Sequence, residues 1–333
     1  MPQTIVVFGA GAIGSLVGAR LHEAGVNVRL IGRARQVDAI RAKGLLVKGK
    51  NDSRFVQLPA TTTLAGTADI ILLTVKSQDV QDACRTIAAM HSDATVVTMQ
   101  NGVRSDQQAA DIIGRDRVVG CVLNISATYL EPGVVEQNTS GLFQVGAPFP
   151  ESKARVDDVL ALLSLAIKTE PVADVARSRW TKLMANLNNA IMAITGLPIG
   201  KALRHPGLTR LSIATIREGV KTAQLGGFGL DQSRRARTFR LMATLPMPIS
   251  YRVFRGRLAG NFPPDSPYGP STLQSLKRGS SSELDYLNGE IVTLGERIGR
   301  PTPYNKGLLD SGRAIFTTHQ YLTPEELLKK FRF

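Results

Sequence analysis

The sequence contains only two cysteines, Cys84 and Cys121, among 333 residues. A disulfide-stapled secreted domain is therefore excluded, and two reduced thiols in a cytosol are expected. No apolar run reaches the roughly 20 residues that a membrane span needs. The strand-like run TIVVFG begins at residue 4, so a secretory signal is not expected. We predict a cytoplasmic protein with no membrane partner.

Histidine is also scarce, because the chain has four histidines and none stands at a metal-ligand spacing from another. We therefore predict no metal site. Hydrophobic residues make up 43% and charged residues 20% of the chain, as in ordinary globular proteins, although aromatic residues reach only 5%. The chain is long enough for two domains, each with its own core.

The net charge of +14 is high, and a stretch without any acidic residue carries much of it. Nucleic-acid or membrane-surface binding is one interpretation of this stretch. Few aromatic residues interleave the arginines and no nucleic-acid motif is present, so a solvated basic face is favoured. A third interpretation is that the positive potential gathers small anionic molecules. The arginines are Arg234, Arg235, Arg237, Arg240, Arg252, Arg255 and Arg257.

The first half of the chain alternates buried apolar runs with amphipathic helical segments. This alternation predicts an α/β fold, a Rossmann-type doubly wound parallel sheet with helices on both faces. The run GVVEQNTSGLFQVG (133–146) predicts a hairpin that turns at NTSG and extends the sheet edge.

Beyond about residue 174 helical periodicity dominates, which predicts a second, all-helical domain. We place the domains at 1–174 and 175–333. One helix is predicted over 177–195, and the proline-containing runs LPMPISYRVF and NFPPDSPYGP are predicted to form loops.

A glycine-rich turn follows the first strand directly and opens an amphipathic helix. This context makes a dinucleotide-binding turn the favoured interpretation over a merely tight strand-to-helix connection. In such a turn Gly9 allows the sharp bend, Gly11 lets the backbone approach a pyrophosphate, and Gly14 lets helix and strand pack closely. The helix N-terminus adds free N–H groups and a positive dipole end. The predicted cofactor-binding turn consists of Gly9, Ala10, Gly11, Ala12, Ile13 and Gly14.

The end of the second strand indicates which dinucleotide binds. An NAD site usually places Asp or Glu there to bond the ribose 2′-hydroxyl. Here the strand ends LIGRARQ, with Arg33 and Arg35 and no acid. A guanidinium pairs with a 2′-phosphate through two parallel hydrogen bonds, so NADPH/NADP⁺ is predicted, with Arg33 as its ligand. The alternative is that both arginines are solvated residues at the start of a helix.

Two polar residues follow other strands of the predicted sheet. Ligands in such sheets bind beyond the carboxyl ends of the strands. Lys76 follows one strand and is predicted to meet phosphate or substrate charge, with a surface lysine as an equal alternative. Asn101 follows another strand and is predicted to fix the nicotinamide ring or the reacting carbonyl, over an ordinary Asn-Gly turn.

The predicted helix 177–195 carries an unusual polar stripe on an otherwise apolar surface. Lys182, Asn186 and Asn189 are four and three residues apart. At about 100° per residue they fall within a narrow sector of one helix face. An ammonium with an amide one turn away indicates a functional face at Lys182 and Asn186, whereas for Asn189 packing against a neighbouring helix is slightly favoured.

Together these motifs resemble the ketopantoate reductase family. The resemblance covers nearly the whole chain and rests on an ordered set of segments. Family members reduce a 2-oxo acid with NADPH and give pantoate for coenzyme A synthesis, so the resemblance implies the same activity here. The segments are GAGAIG, GRARQ, TVKSQ, QNG, RWTKLMAN, PSTLQSL and SSELDYLNGEI.

The resemblance also implies roles for four residues. Lys182 matches the general acid that protonates the ketone oxygen, and Glu283 matches the acidic residue that holds a substrate hydroxyl and steers the lysine. Asn186 and Ser271 match residues that bind substrate. Glu283 has a local alternative, since it would also suit the first turn of a helix capped by Ser282. Ser271 has one as well, as a helix N-cap.

The chain departs from the family on the substrate side. The family often carries a second helix asparagine eight residues after the lysine, where this chain has Ala190, with an amide at Asn189 instead. An enzyme acting on a different branched 2-oxo or 2-hydroxy acid is therefore one alternative. A non-catalytic NADP(H)-binding sensor is another, although four residues occurring together argue against it: Lys182, Asn186, Ser271 and Glu283. The partner predicted is a small anionic 2-oxo acid, not nucleic acid, and a homodimer is left open.

Overall fold

The computed structural model describes residues 3–49, 52–90, 93–260, 272–273, 276 and 283–333. The chain divides into two compact units, Met1–Ser178 and Arg179–Phe333. The first unit is mixed α/β, and every regular element described in the second is helical. This confirms the predicted fold class.

The strands of the first unit are short, and most of them are buried apolar runs. They are β1 Ile5–Phe8, β2 Val28–Ile31, β3 Leu45–Lys48, β4 Ser53–Val56, β5 Ala60–Thr61, β6 Ile70–Leu73, β7 Thr95–Thr98, β8 Val118–Leu123, β9 Ser126–Glu131, β10 Val134–Thr139, β11 Phe143–Gly146 and β12 Thr169–Pro171.

Helices connect these strands and fill the second unit. They are α1 Ala12–Glu23, α2 Ala34–Lys43, α3 Val80–Ala88, α4 Ser105–Ile113, α5 Val156–Ser164, α6 Val175–Asn186, α7 Asn189–Thr195, α8 Ile199–Ala202, α9 Pro206–Leu225, α10 Arg234–Thr244, α11 Met247–Gly260, α12 Asn288–Arg297, α13 Pro303–Thr318 and α14 Pro324–Leu328.

The main sheet has eight strands in the order β12-β11-β8-β7-β6-β1-β2-β5. The six strands from β8 to β5 are parallel, and β11 joins β8 antiparallel. β1 lies between β2 and β6, so the strands that follow β1 in the sequence are added first on one side of it and then on the other. Ligands in open α/β sheets bind at such a switch point, beyond the carboxyl ends of the strands.

The predicted hairpin over 133–146 is wrong. β10 instead pairs with β9 across a turn at Gly133, whereas β11 belongs to the main sheet. β9 and β10 form a second sheet of order β4-β3-β10-β9. Both EPG and NTSG are good turn sequences, and Gly133 with its φ of 79° takes the turn.

The predicted loop LPMPISYRVF is also wrong, because α11 covers most of it. Pro248 lies in the first turn of α11, where a missing N–H costs nothing. The other predicted loop, NFPPDSPYGP, lies outside the described residues.

The core of the second unit forms where α7, α9, α12 and α13 meet. Trp180 of α6 stacks on Phe228, with ring centroids 4.5 Å apart. The two cysteines are buried and free of disulfides, and burial raises the pKa of Cys84 to about 11. Among the described helices, none combines the length and the apolar character that crossing a membrane requires.

Candidate functional site

The glycine-rich turn leaves β1 at the switch point of the sheet, and two of its glycines are needed sterically. Gly9 has a φ of 122°, and a Cβ there would lie 2.6 Å from the backbone nitrogen of Val75. A Cβ on Gly14 would lie 2.0 Å from the carbonyl oxygen of Gly9. These contacts account for glycine at both positions, because any side chain would separate α1 from β1 and β6.

Gly11 differs from both of these glycines. A Cβ there would meet no described atom of the chain within 4 Å. The backbone of Gly11 has an extended conformation that any residue adopts, with φ −80° and ψ −159°. Nothing within the described protein therefore explains the missing side chain, whereas a ligand approaching this backbone would.

The turn presents the start of α1, with Gly11 as its N-cap. No side chain caps this helix end, and its first N–H groups have no intrahelical acceptor. Ala12 and Ile13 come immediately after and carry no polar side-chain atom that would compete for these amides. The helix end therefore suits an anion, and this is the kind of helix end that holds a pyrophosphate.

Arg33 lies beside this turn. The carbonyl oxygen of Ile31, at the end of β2, accepts hydrogen bonds from the amides of Gly9 and Ala10, each 2.9 Å long. Arg33 comes two residues later as the N-cap of α2. Its side chain is exposed, and within the described part of the chain it has no hydrogen-bond or ion-pair partner. The backbone of Arg33 thus lies near the glycine-rich turn, and its exposed guanidinium is available to bind a ligand.

The residues that support the turn were not predicted from the sequence. The side-chain amide of buried Gln36 donates to Ser15 Oγ over 3.2 Å, and Ser15 Oγ donates to the carbonyl oxygen of Ala10 over 3.1 Å. Gln36 Oε1 accepts from the amide of Gly133, in the turn that joins β9 and β10, over 2.7 Å. Gln36 stands in the GRARQ segment, so a polar residue among apolar helix positions was the available signal.

A second set of hydrogen bonds joins the loops that follow β1, β6 and β7. Thr74 Oγ1 donates to the carbonyl oxygen of Gly9 over 2.8 Å. Gln100 Nε2 donates to the carbonyl oxygens of Leu73 and Val75, over 2.7 and 3.1 Å. The three strand ends are therefore fixed to each other at the switch point.

Lys76 and Asn101 both lie at this fixed edge. Ser77 Oγ donates to the backbone carbonyl of Asn101 over 3.0 Å, which brings the two loops together. Both side chains are half-buried. The structure thus groups Lys76 and Asn101 with the glycine-rich turn and Arg33 along one edge of the sheet.

The helix predicted over 177–195 is not continuous. α6 ends at Asn186 and α7 begins at Asn189. The amide of Ile191 donates to the carbonyl oxygen of Asn188 rather than to that of Leu187. The Leu187 carbonyl instead accepts from Asn288 Nδ2, over 3.2 Å. This tertiary hydrogen bond replaces the helical one and accounts for the break.

The break divides the predicted polar stripe. Lys182 and Asn186 remain one turn apart on α6, and both are half-buried on a helix whose Leu183 and Met184 are buried. Asn189 belongs to α7, so the prediction that it continues the stripe of α6 is wrong. Ala190, where the family often carries an amide, is fully buried in the core of the second unit.

Glu283 lies on the segment that leads to Asn288. It is 8% exposed and directly precedes a 3₁₀ turn over Leu284–Tyr286. The α-helix begins only at Asn288, so Glu283 does not occupy the first turn of that helix. Because Asn288 is hydrogen-bonded to Leu187, this segment is tethered to the end of α6 that carries Asn186. Ser271 and Ser282 lie outside the described residues.

The basic stretch forms exposed helix faces rather than a loop. Arg240 differs, since its guanidinium donates to the carbonyl oxygens of Leu230 and Asp231. Arg255 and Arg257 lie over the rings of Tyr251 and Phe254, at 5.8 and 5.9 Å from the ring centroids. Within the described residues no group of three potential metal ligands occurs.

Two family models match the chain in the order of its two halves. "Ketopantoate reductase PanE/ApbA" matches residues 5–148, and "Ketopantoate reductase PanE/ApbA C terminal" matches residues 174–315. The chain belongs to the ketopantoate reductase family. The prediction of an oxidoreductase that acts on a C=O or CH–OH group is thereby confirmed.

Individual relatives agree with this assignment. The 2-dehydropantoate 2-reductase of Pyrococcus horikoshii is 30% identical over 90% of this chain and 93% of its own length. A PanE/ApbA family ketopantoate reductase from Ralstonia eutropha JMP134 superposes with a TM-score of 0.80 at 28% identity, over 96% of this chain and all of that one. A D-mandelate dehydrogenase bound to NADH and anilino(oxo)acetate shares the fold, with a TM-score of 0.82 at 21% identity over 95% and 99%.

Proposed function

We propose that this ketopantoate reductase homologue reduces 2-dehydropantoate to pantoate with NADPH. The family assignment and the name of the Pyrococcus relative support the reaction. Within the chain we assign cofactor binding to residues 1–174 and the proton donor to residues 175–333.

The residues present fit a phosphorylated dinucleotide. The open backbone at Gly11 and the uncapped start of α1 suit a pyrophosphate. The unpartnered Arg33 suits a 2′-phosphate, and no carboxylate follows β2 to bond a 2′-hydroxyl or to repel the phosphate. NADPH, when bound, supplies the hydride.

Proton donation and most of the substrate contacts come from side chains of the helical unit. Lys182 donates a proton to the ketone oxygen as negative charge develops there, and its ammonium stabilises that charge. Asn186, one helical turn away, hydrogen-bonds the substrate. Glu283 holds a substrate hydroxyl and orients the lysine, and Ser271 contributes a further substrate contact. Asn101 and Lys76, at the sheet edge, position the ring or the carboxylate.

One observation supports the assignment of Lys182 as the proton donor. Lys182 and Asn186 form an ammonium–amide pair on a single uninterrupted helix, half-buried among apolar residues, and Asn288 tethers the Glu283 segment to the same helix end. A lysine that only extends from the core into solvent would not require the amide or the tether.

The test is replacement of Lys182 in the full-length chain. Lys182→Ala should lower kcat for 2-dehydropantoate by roughly 10²–10⁴, the range expected for loss of a positioned acid. NADPH affinity should change little, because other residues bind the cofactor. Lys182→Arg should restore little activity, since a guanidinium does not release a proton near neutral pH.

Lys201→Ala is the matched control, because Lys201 is an exposed lysine of the same unit. This variant should keep both kcat and the NADPH affinity at their wild-type values. Near-wild-type turnover of Lys182→Ala on its best substrate would show that another group donates the proton.

A different 2-oxo acid is the second candidate substrate, and buried Ala190 favours it. The site lacks the second amide that the family often uses, and the shared fold extends to a D-mandelate dehydrogenase. A panel of branched and aryl 2-oxo acids assayed with NADPH distinguishes the two by kcat/KM. Tight NADPH binding without turnover of any oxo acid would instead support a sensor.

A further inference from the structure

A cavity of about 390 Å³ opens in the helical unit. One side of α9 forms its floor, and the connection between α12 and α13 forms a wall together with Met247, the first residue of α11. Three cationic side chains line it: Arg217 and Lys221 from α9, and Arg300 from the connection.

The cavity lies on the side of α9 that faces away from the proposed proton donor. A Cβ on Gly219 would lie 2.6 Å from Leu187 and 3.1 Å from Met184, so the face of α9 near Gly219 packs against the end of α6 and the residue just beyond it. Arg217 and Lys221 project about 160° away from that face at the helical repeat of about 100° per residue. The cavity is therefore separate from the Lys182–Asn186 pair.

The single acidic residue that lines the cavity, Glu218, already accepts hydrogen bonds from the protein. Glu218 accepts hydrogen bonds from the backbone amides of Tyr304 and Asn305, over 3.1 and 2.7 Å, and from Asn305 Nδ2 over 2.8 Å. These amides belong to the first turn of α13, so Glu218 caps that helix from α9. Its carboxylate is directed at the helix rather than at the neighbouring cations.

The three cations differ in what they already bind. Arg217 donates through Nη1 to the carbonyl oxygens of Met242 and Leu245, at the end of α10. Arg300 has no ion pair among the described residues, and its Nε is buried without a hydrogen-bond partner there. Lys221 is exposed and likewise forms no ion pair in the described part of the chain. Arg300 interacts with the Glu218 carboxylate only through space, and neither Arg300 nor Lys221 forms a direct ion pair among the described residues.

The rest of the lining is largely apolar. Met247, Pro301 and Pro303 contribute aliphatic surface, and Tyr304 lies beside them. The hydroxyl of Tyr304 is engaged with the carbonyl oxygen of Arg332 over 2.7 Å. A concave, mostly apolar site with a few convergent charged groups is typical of small-molecule binding.

We infer that this cavity binds a small organic anion, with a phosphate or carboxylate group held by Arg300 and Lys221 and a short apolar body against Met247 and Pro301. A guanidinium suits both headgroups because it pairs with two oxygens of either. The site goes beyond the proposed reduction and does not depend on it.

Calorimetric titration of the full chain, saturated with NADPH, tests the inference with phenyl phosphate, benzoate and inorganic phosphate. One equivalent of phenyl phosphate or benzoate should bind at millimolar concentrations, and the tighter of the two identifies the headgroup. Arg300→Gln and Lys221→Gln should each weaken binding about tenfold, as expected when one charge-assisted contact is lost. Lys201→Gln, an exposed lysine outside the cavity, should have no effect.

A variant in the proposed substrate site and a comparison of the probes distinguish the cavity from other binding sites. Lys182→Gln should leave the affinity unchanged; binding that is lost in this variant but kept in Lys221→Gln belongs to the substrate site and overturns the inference. Absence of saturable binding by either organic probe overturns it as well. Equal affinity for phenyl phosphate and inorganic phosphate would refute the apolar part of the site. Since Lys221 is exposed, its replacement tests the charge even if Arg300→Gln misfolds.

Discussion

The same substitution at two positions of the glycine-rich turn should have opposite consequences. In Gly14→Ala the new methyl group lies 2.0 Å from the carbonyl oxygen of Gly9 and 2.5 Å from Thr74 Oγ1. A carbon–oxygen contact of about 3.3 Å is normal, so the start of α1 must move by more than about 1 Å. In Gly11→Ala the methyl group meets no described atom of the protein within 4 Å.

These distances set the expected magnitudes. Overpacking costs about 1–3 kcal/mol, and the backbone contact of Gly14→Ala places it at the upper end of this range. At roughly 2–4 °C for each kcal/mol in a unit of this size, the midpoint of thermal unfolding should fall by about 6–12 °C. Gly11→Ala should unfold within about 1 kcal/mol of the wild type, because its backbone conformation suits alanine.

Cofactor binding, unlike stability, should be sensitive to Gly11→Ala. If a pyrophosphate approaches the backbone at Gly11, the same overpacking of about 1–3 kcal/mol falls on the ligand and weakens NADPH roughly 5- to 150-fold. Thermal unfolding followed by circular dichroism and fluorescence titration with NADPH measure the two effects. Unfolding of Gly14→Ala at the wild-type temperature, or wild-type NADPH affinity in Gly11→Ala, would contradict these expectations.

Three further predictions concern single residues. Arg33→Ala should weaken NADPH about tenfold or more and leave NADH nearly unchanged in titrations, and a selective loss in Arg35→Ala instead would move the 2′-phosphate contact. Burial raises the pKa of Glu218 above its usual 4.5 despite three amide donors, so its stabilising contribution is complete below pH 4.5 and declines as pH rises through the folded-state pKa. The difference in unfolding free energy between wild type and Glu218→Gln should therefore shrink as the pH rises above 4.5, and a pH-independent difference would contradict this. Asn288→Ala should cost about 1–3 kcal/mol in urea unfolding, because it leaves the Leu187 carbonyl without its tertiary donor; a loss below about 0.5 kcal/mol would show that the carbonyl finds another partner.

Local signals were sufficient for the glycine-rich turn and for the sheet strands on either side of it. Gly9 and Gly14 act on backbone only a few residues away or on the neighbouring strand, so their spacing in the sequence carries the geometry. The absence of an acid after β2 is equally local. These features could be predicted because periodicity and turn chemistry operate over a few residues.

The features that sequence analysis missed depend on distant partners. The helix break at Leu187 requires Asn288, which is 101 residues away along the chain. Apolar periodicity from Trp180 to Ile194 continues through the break and gives no sign of it. The second sheet was missed for a related reason, since β10 pairs in parallel with β3 rather than with its neighbour β11. The helix break and the β3–β10 pairing both depend on hydrogen bonds between residues far apart in the sequence, which local patterns do not predict.

The position of Gln36 has a consequence for the order in which the chain assembles as it leaves the ribosome. Its side chain joins Ser15 on one side to Gly133 on the other, 97 residues further along. A nascent chain that stops short of residue 133 has all six residues of the glycine-rich turn but lacks the donor for Gln36 Oε1. N-terminal segments generally fold first during synthesis, yet this turn acquires its complete hydrogen-bond set only after β9 and β10 have emerged. The glycine-rich turn is therefore synthesised well before the last of its supporting hydrogen bonds can form.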